Sequence, residues 1–284
     1  MTPNNQIDPG RLAELLRFYA DAGVDEALDD EPLNRFEERA PARTQTPAVT
    51  PVADRPAAAP APQRLSTAPA ETRPSMPAAI PDEAQAARAR DLARSAGSLA
   101  ELKQLLVDFD GCNLKYTAKN LVFADGNPEA DIMFVGEAPG RDEDLEGLPF
   151  VGRSGRLLDR MLAAIGLDRT TAYISNVIPW RPPGNRDPSP LETEICRPFI
   201  ERHIELMNPK VLVTLGNPST KLLLRTQTGI MRMRGTWSVH TTPGGIEIAT
   251  MPTLHPAYLL RNPAHKKLAW RDFLAVKVRL KHLG

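Results

Sequence analysis

From residue 120 onward, short apolar runs alternate with amphipathic stretches. Residues 131–136 read Asp-Ile-Met-Phe-Val-Gly, an apolar run of strand length, and residues 172–177, 211–215 and 246–252 repeat the pattern. Between them lie helical periods. In 154–165 the residues Leu157, Leu158, Met161, Leu162 and Ile165 share one face, and further helices are predicted over 190–207, 218–224 and 265–280. A helix over 82–108, broken near Gly97, precedes this part. Short apolar strands alternating with helices imply a parallel sheet covered on both faces. The expected fold is therefore α/β, a three-layer α/β/α arrangement around a central parallel sheet of about four strands. Ligands of such sheets bind outside the carboxyl ends of the strands. That directs attention to the loops after Val135, Asn176 and Thr253.

The N-terminal part has a different character. Over residues 5–27, Leu12, Leu15, Leu16 and Tyr19 recur at helical spacing. This is either a marginal helix or a helix that recruits a protein partner, since amphipathic segments dock into grooves. Ten prolines then fall between Pro41 and Pro81 among alanines, threonines and arginines. Such a stretch buries too little apolar surface to offset its ordering entropy and reads as a linker. The expected organisation is a short acidic helical segment (1–30), a disordered Pro/Ala-rich linker (31–84) and a folded α/β domain (85–284).

Charge sharpens this division. The chain has 35 basic and 35 acidic residues, a balance that argues against a nucleic-acid binder. The balance conceals segregation: up to Ala40 there are ten acidic and four basic residues, so the remainder carries six net positive charges. No run of 18 apolar residues suggests a membrane span, and the N-terminus lacks a secretory pattern. A cytoplasmic location is expected. Two cysteines, Cys112 and Cys196, provide no disulfide framework and read as free thiols or remnants of a metal site.

Three constellations carry candidate chemistry. The first is Gly136-Glu137-Ala138-Pro139-Gly140-Arg141-Asp142-Glu143-Asp144, followed by Pro149-Phe150-Val151-Gly152. Small residues after a strand let a ligand approach backbone amides, and the carboxylates either bind metal, act on water, or form a solvated acidic loop. The GxGxxG spacing of a dinucleotide site is missing. The second is Asn176, ending a strand, where one amide offers a donor and an acceptor to the edge of a base or simply caps a turn. The third is Leu254-His255-Pro256-Ala257-Tyr258-Leu259-Leu260-Arg261-Asn262-Pro263. Its histidine is either structural, as a lone histidine usually is, or a polar group set beside an apolar wedge and a cation, the tools of base extrusion.

At these residues the chain resembles the uracil-DNA glycosylase superfamily, family 4 above all. The pieces GEAPGRDEDLEGLPFVGRSGRLLDRML, YISNVIPWRPPGNRDPSP and LHPAYLLRNP carry the resemblance, which covers roughly residues 101–283. It implies a DNA repair enzyme that hydrolyses the bond between uracil and deoxyribose by base flipping and leaves an abasic site. Phe150 would stack on the flipped ring and Asn176 pair with its O4 and N3 edge. His255 would donate toward O2, and Gly136, Glu137 and Ala138 would surround the base. Glu143 is favoured for positioning water, with Glu137 shaping the pocket and Asp142 and Asp144 as alternatives. Ser154 and Gly155 would receive a phosphate, Leu260 and Arg261 would brace the gap left by the nucleotide, and His265 would face phosphate.

The chain departs from the family where four cysteines usually hold a [4Fe–4S] cluster. The matching positions are Phe109, Cys112, Trp180 and Cys196. The expectation is no cluster and no other cofactor, with Phe109 and Trp180 filling the volume as core and the two cysteines side by side. The loop Pro183-Gly184-Asn185-Arg186-Asp187-Pro188 has no histidine, unlike that of a covalently trapping relative, so turnover is expected. Further expectations are a monomer, uracil-containing DNA as partner and a place at the nucleoid. A non-catalytic binder of uracil or abasic DNA, and an enzyme acting on free nucleotides or another deaminated base, are the alternatives.

Overall fold

The computed structural model describes residues 82–283. The 5–27 helix and nearly all of the Pro-rich linker lie outside them. Helices α1 (Asp82–Ser95) and α2 (Leu99–Asp108) are separated at Gly97, where the expected break falls. Ser98 accepts from the Glu101 amide, while the Glu101 carboxylate accepts from Gly97 N–H at 2.7 Å. This reciprocal cap satisfies donors that a new helix otherwise leaves orphaned. The short helix α3 (Leu114–Thr117) leads into the sheet region.

The sheet contains β1 (Ala124–Gly126), β2 (Ile132–Gly136), β3 (Tyr173–Asn176), β4 (Val211–Leu215), β5 (Ser238–Thr241) and β6 (Glu247–Thr253), ordered β1-β3-β2-β4-β6-β5. Its core β3-β2-β4-β6 is parallel, matching the four strands expected, and antiparallel β1 and β5 extend it at the edges. The sheet is thus mixed and six-stranded rather than purely parallel. The parallel strands are almost wholly buried, which is why they read as continuous apolar runs.

Intervening helices cover both faces. They are α4 (Arg141–Glu146), α5 (Arg153–Ile165), α6 (Pro190–Met207), α7 (Asn217–Leu223), α8 (Ile230–Met233), α9 (Pro256–Arg261) and α10 (Lys266–Lys281). Alternate residues of β2 divide between two cores. Met133 and Val135 pack with Leu102, Leu106, Ile195, Phe199 and Ile204 of α2 and α6. Ile132 and Phe134 pack with Leu158, Leu162, Phe273 and Val276 of α5 and α10. Burying one such leucine or phenylalanine side chain contributes about 1.5–3 kcal/mol. Among the described residues, no helix is long and apolar enough to cross a membrane.

Register then sets the site. Gly136 pairs with Asn176 across β2 and β3, and Leu215 pairs with Thr253 across β4 and β6. The first and second motifs therefore end at one level, and His255 follows a strand that ends level with β4. The chain moves outward from β2 to β3 and, in the opposite direction, from β4 to β6. Strand order reverses between β2 and β4, where a crevice opens.

One core histidine gives a stability prediction. His203 is buried, stacked on Phe123 at 4.2 Å, with its Nε2 2.9 Å from the Tyr173 hydroxyl. Burial pushes its pKa down to about 3. The unfolded chain takes up this proton near the ordinary value of about 6.5, so between those values the unfolded state binds more protons. Stability is expected to fall as pH drops through that window. Denaturant melts of His203→Gln should show a flatter slope from pH 7 to pH 4 than the wild type, and an unchanged slope would contradict the assignment.

Candidate active site

A cavity of about 510 Å³ opens at the carboxyl ends of the strands. Its walls include Glu137, Ala138, Glu143, Phe150, Ser154, Asn176, His255 and Arg261, eight of the residues singled out in the sequence. Strand β2 runs into Glu137 and Ala138, β3 ends on Asn176, and β6 leads through Leu254 to His255.

Asn176 is 5% exposed, and its Oδ1 has no hydrogen-bond partner among the described residues. An unsatisfied buried amide oxygen costs about 1–3 kcal/mol. A donor brought by a ligand removes that cost. Gly136 lies beneath it: a Cβ there would overlap both Asn176 Oδ1 and the Phe150 ring. Gly136 is thus a glycine of close approach rather than a cavity wall.

Phe150 is buried and has a positive φ of 55°. This conformation costs a non-glycine residue about 1–2 kcal/mol. Its ring centre lies 5.5 Å from that of His255, tilted by 32°. Gly155 was expected at a phosphate, but it is buried in α5, where any Cβ would overlap the Phe150 carbonyl. Its lack of a side chain makes room for that backbone. Ser154, one residue earlier, does face the cavity.

His255 is the N-cap of α9, and its Nδ1 accepts from the Ala257 amide at 3.1 Å. An imidazole that accepts at Nδ1 carries its proton at Nε2, so a neutral donor remains. Burial, reinforced by the Arg261 charge, pushes its pKa down to about 4. Gly216, at φ 95°, packs 3.0 Å from His255 Cβ when given an ideal Cβ of its own. Sequence reasoning missed Gly216 and its neighbour Asn217, both in the cavity wall. The Leu-Gly-Asn-Pro run after an apolar strand was the available signal.

The carboxylates require a revision. Glu143 is buried, with Oε2 accepting from Gly140 N–H at 3.0 Å and Oε1 from Val151 and Gly152 N–H at 3.1 and 3.0 Å. Three backbone amides occupy it, so it braces the loop around Phe150 and is poorly free to hold water. Asp144 is likewise engaged by the Lys119 and Asn120 amides, and Asp142 is exposed outside the cavity wall. Glu137 is half-buried in the wall; its backbone carbonyl accepts from Ile178 N–H at 2.9 Å, while its carboxylate makes no hydrogen bond among the described residues. Burial, with Asp187 nearby, pushes its pKa above the ordinary carboxylate value.

The third motif is also partly rearranged. Arg261 is exposed at the cavity. Leu260 instead packs half-buried against the cluster of Leu157, Leu254, Leu259 and Ala269, outside the cavity wall. His265 has one of its two ring nitrogens engaged within the protein, its Nδ1 lying 2.7 Å from the Tyr258 hydroxyl. Tyr258 itself lines the cavity.

Comparison with known proteins agrees with this geometry. The family model described as the uracil DNA glycosylase superfamily matches residues 123–274. A type-4 uracil-DNA glycosylase of Saccharolobus solfataricus is 42% identical over 177 residues, covering 60% of this chain and 80% of the relative. Those of Sulfurisphaera tokodaii and Archaeoglobus fulgidus are each 40% identical, over 63% and 62% of this chain and 84% and 90% of their own lengths.

These matches correct one expectation. The chain aligns with type-4 glycosylases over most of their length, the class for which the resemblance implies an iron–sulfur cluster. The expectation that no cofactor belongs to this protein therefore does not stand. The side chains at the corresponding place are two buried thiols, Cys112 and Cys196, with Sγ atoms 3.9 Å apart, and the buried rings of Phe109 and Trp180. Two thiols do not supply the four thiolates that such a cluster takes.

Proposed function

The chain belongs to the uracil-DNA glycosylase superfamily, and from that premise we propose that it flips uracil out of DNA and hydrolyses its bond to deoxyribose. The observation that carries the reading is the unpartnered Asn176 Oδ1 beside Phe150 and His255 in one cavity. Uracil offers N3–H to that oxygen, and its O4 accepts from the Asn176 side-chain nitrogen. Cytosine presents the reverse order and leaves both groups unsatisfied. The Phe150 ring supplies the face on which the base stacks.

As the bond from N1 to C1′ breaks, its electron pair stays with uracil and negative charge gathers on O2. The Nε2–H of His255 is a neutral donor held in place before reaction, which stabilises the transition state most. The sugar becomes an oxocarbenium-like cation. Glu137 is the carboxylate available to stabilise it and to orient the water whose oxygen bonds to C1′. Arg261 and Ser154 meet phosphates flanking the extruded nucleotide. On the same reading, residues 85–284 form the catalytic domain and act as a monomer on nucleoid DNA in the cytoplasm. Segment 1–30 would then recruit a partner.

The test is cleavage of oligonucleotides carrying U:G, U:A or single-stranded uracil. Alkali-labile sites at uracil alone are expected. Tight binding without such sites would replace the enzyme by a DNA-binding protein on the same fold. The rate should also show an acid limb. Glu137 must be ionised to act, and its pKa is raised, so activity should decline below a pH above the usual carboxylate range. The Glu137→Gln enzyme should be slower and lose that limb; retention of the limb would assign it to another group.

A further inference from the structure

The strained backbone of Phe150 is held from both sides. On its C-terminal side, Glu143 takes the amides of Val151 and Gly152. On its own carbonyl, the donor is the guanidinium of Arg169, which also donates to the Pro149 carbonyl at 3.1 Å. Arg169 lies in the turn between α5 and β3, outside all three motifs and outside the cavity wall. It is itself fixed by two carboxylates from separate elements, Asp125 of β1 at 2.5 Å and Asp159 of α5 at 2.9 Å. A planar guanidinium with several donors suits such a fourfold junction, because its fork is rigid and each bond constrains the others.

The consequence is directional. A residue at φ 55° aims its side chain differently from one in extended or right-handed backbone. Relaxed to negative φ, Phe150 would carry its ring away from Asn176 and His255. Gly155 leaves space for the Phe150 carbonyl, and Arg169 supplies the bond that keeps it there.

We propose that Arg169 is a positioning residue for uracil excision: it locks the Phe150 backbone in the left-handed conformation that presents the ring to the flipped base. This rests on the reading of Phe150 as the stacking platform. Arg169 touches neither base nor sugar and acts only through that ring.

The experiment is a double-mutant cycle on the full chain, read as single-turnover excision of uracil at saturating enzyme. Arg169→Ala should slow excision by about 10- to 100-fold, the loss typical of a misplaced contact. Arg169→Lys should recover little, since an ammonium cannot span both carbonyls and both carboxylates. Millimolar guanidinium added to the alanine variant should restore part of the rate. In a Phe150→Ala background, Arg169→Ala should bring no further loss. Losses that multiply would overturn the proposal and reduce Arg169 to general scaffolding. An unslowed Arg169→Ala enzyme would overturn it as well. If Phe150→Ala alone excised at the wild-type rate, the stacking platform would fail first and the proposal with it.

Discussion

His255→Ala should slow excision of uracil by about 10²–10³-fold, the loss typical of one preorganised donor to a developing anion. Geometry allows this size of effect because the imidazole needs no rearrangement. Its Nδ1 is already committed to the Ala257 amide, its proton is at Nε2, and Gly216 leaves open the space beside its Cβ that any side chain there would crowd. With a pKa near 4 it stays neutral at physiological pH, so the wild-type rate should not fall through its titration between pH 7 and pH 5. The loss should appear in the single-turnover rate, with the affinity for abasic DNA nearly kept. His255 also caps α9, and losing a cap costs about 0.5–2 kcal/mol. The assay therefore belongs well below the melting temperature of the variant. A His255→Gln enzyme supplies the check, because it replaces the ring by an amide donor. An alanine variant cleaving at the wild-type rate would remove His255 from the mechanism.

The parts legible in the sequence share a physical origin. Strands β2, β3, β4 and β6 are buried on both faces, so their apolar runs need no tertiary information. β1, only Ala-Asp-Gly, and β5, Ser-Val-His-Thr, are edge strands with mostly accessible residues. They form because β3 and β6 offer them unpaired backbone, a cause that lies outside their own residues. Asn176 and His255 were legible because strand ends locate them, and Phe150 because the first motif resembles that of the family.

What the sequence could not convey are the contacts that hold those three. Arg169 finds partners 44, 10 and 19 residues away. Glu143 closes on amides eight and nine residues further along, because the loop after β2 doubles back. A carboxylate in an acidic run looks equally suited to water or to backbone until that fold-back is known. That is why the three amides that Glu143 accepts, and the proposal that passes the water to Glu137, were not legible in the sequence. The same limit explains Gly155 and Leu260: their positions at helix starts and motif ends suggested DNA, whereas burial assigns them to packing.

Asn176→Asp should abolish uracil excision more completely than Asn176→Ala, with losses of at least about 10²-fold for either, given that a site built to pair with a polar edge rejects a mismatch by 10⁴–10⁵ at the upper end. Alanine removes both hydrogen bonds and leaves the base edge unpaired. Aspartate does more harm, since its second oxygen meets O4 acceptor to acceptor where the amide had donated. In the free protein the aspartate would bury an unpaired carboxylate where the wild type buries an amide, so the variant is expected to be less stable and the assay belongs well below its melting temperature. Single-turnover assays on uracil and cytosine oligonucleotides read the two effects together. The aspartate enzyme should lose uracil far faster than it gains cytosine, whose N4 amino group finds an acceptor but whose N3 finds no donor unless the carboxyl is protonated. Activity toward cytosine that appears only at low pH would identify that protonated carboxyl. Undiminished uracil cleavage by Asn176→Asp would mean that the orphaned oxygen is not what reads the base.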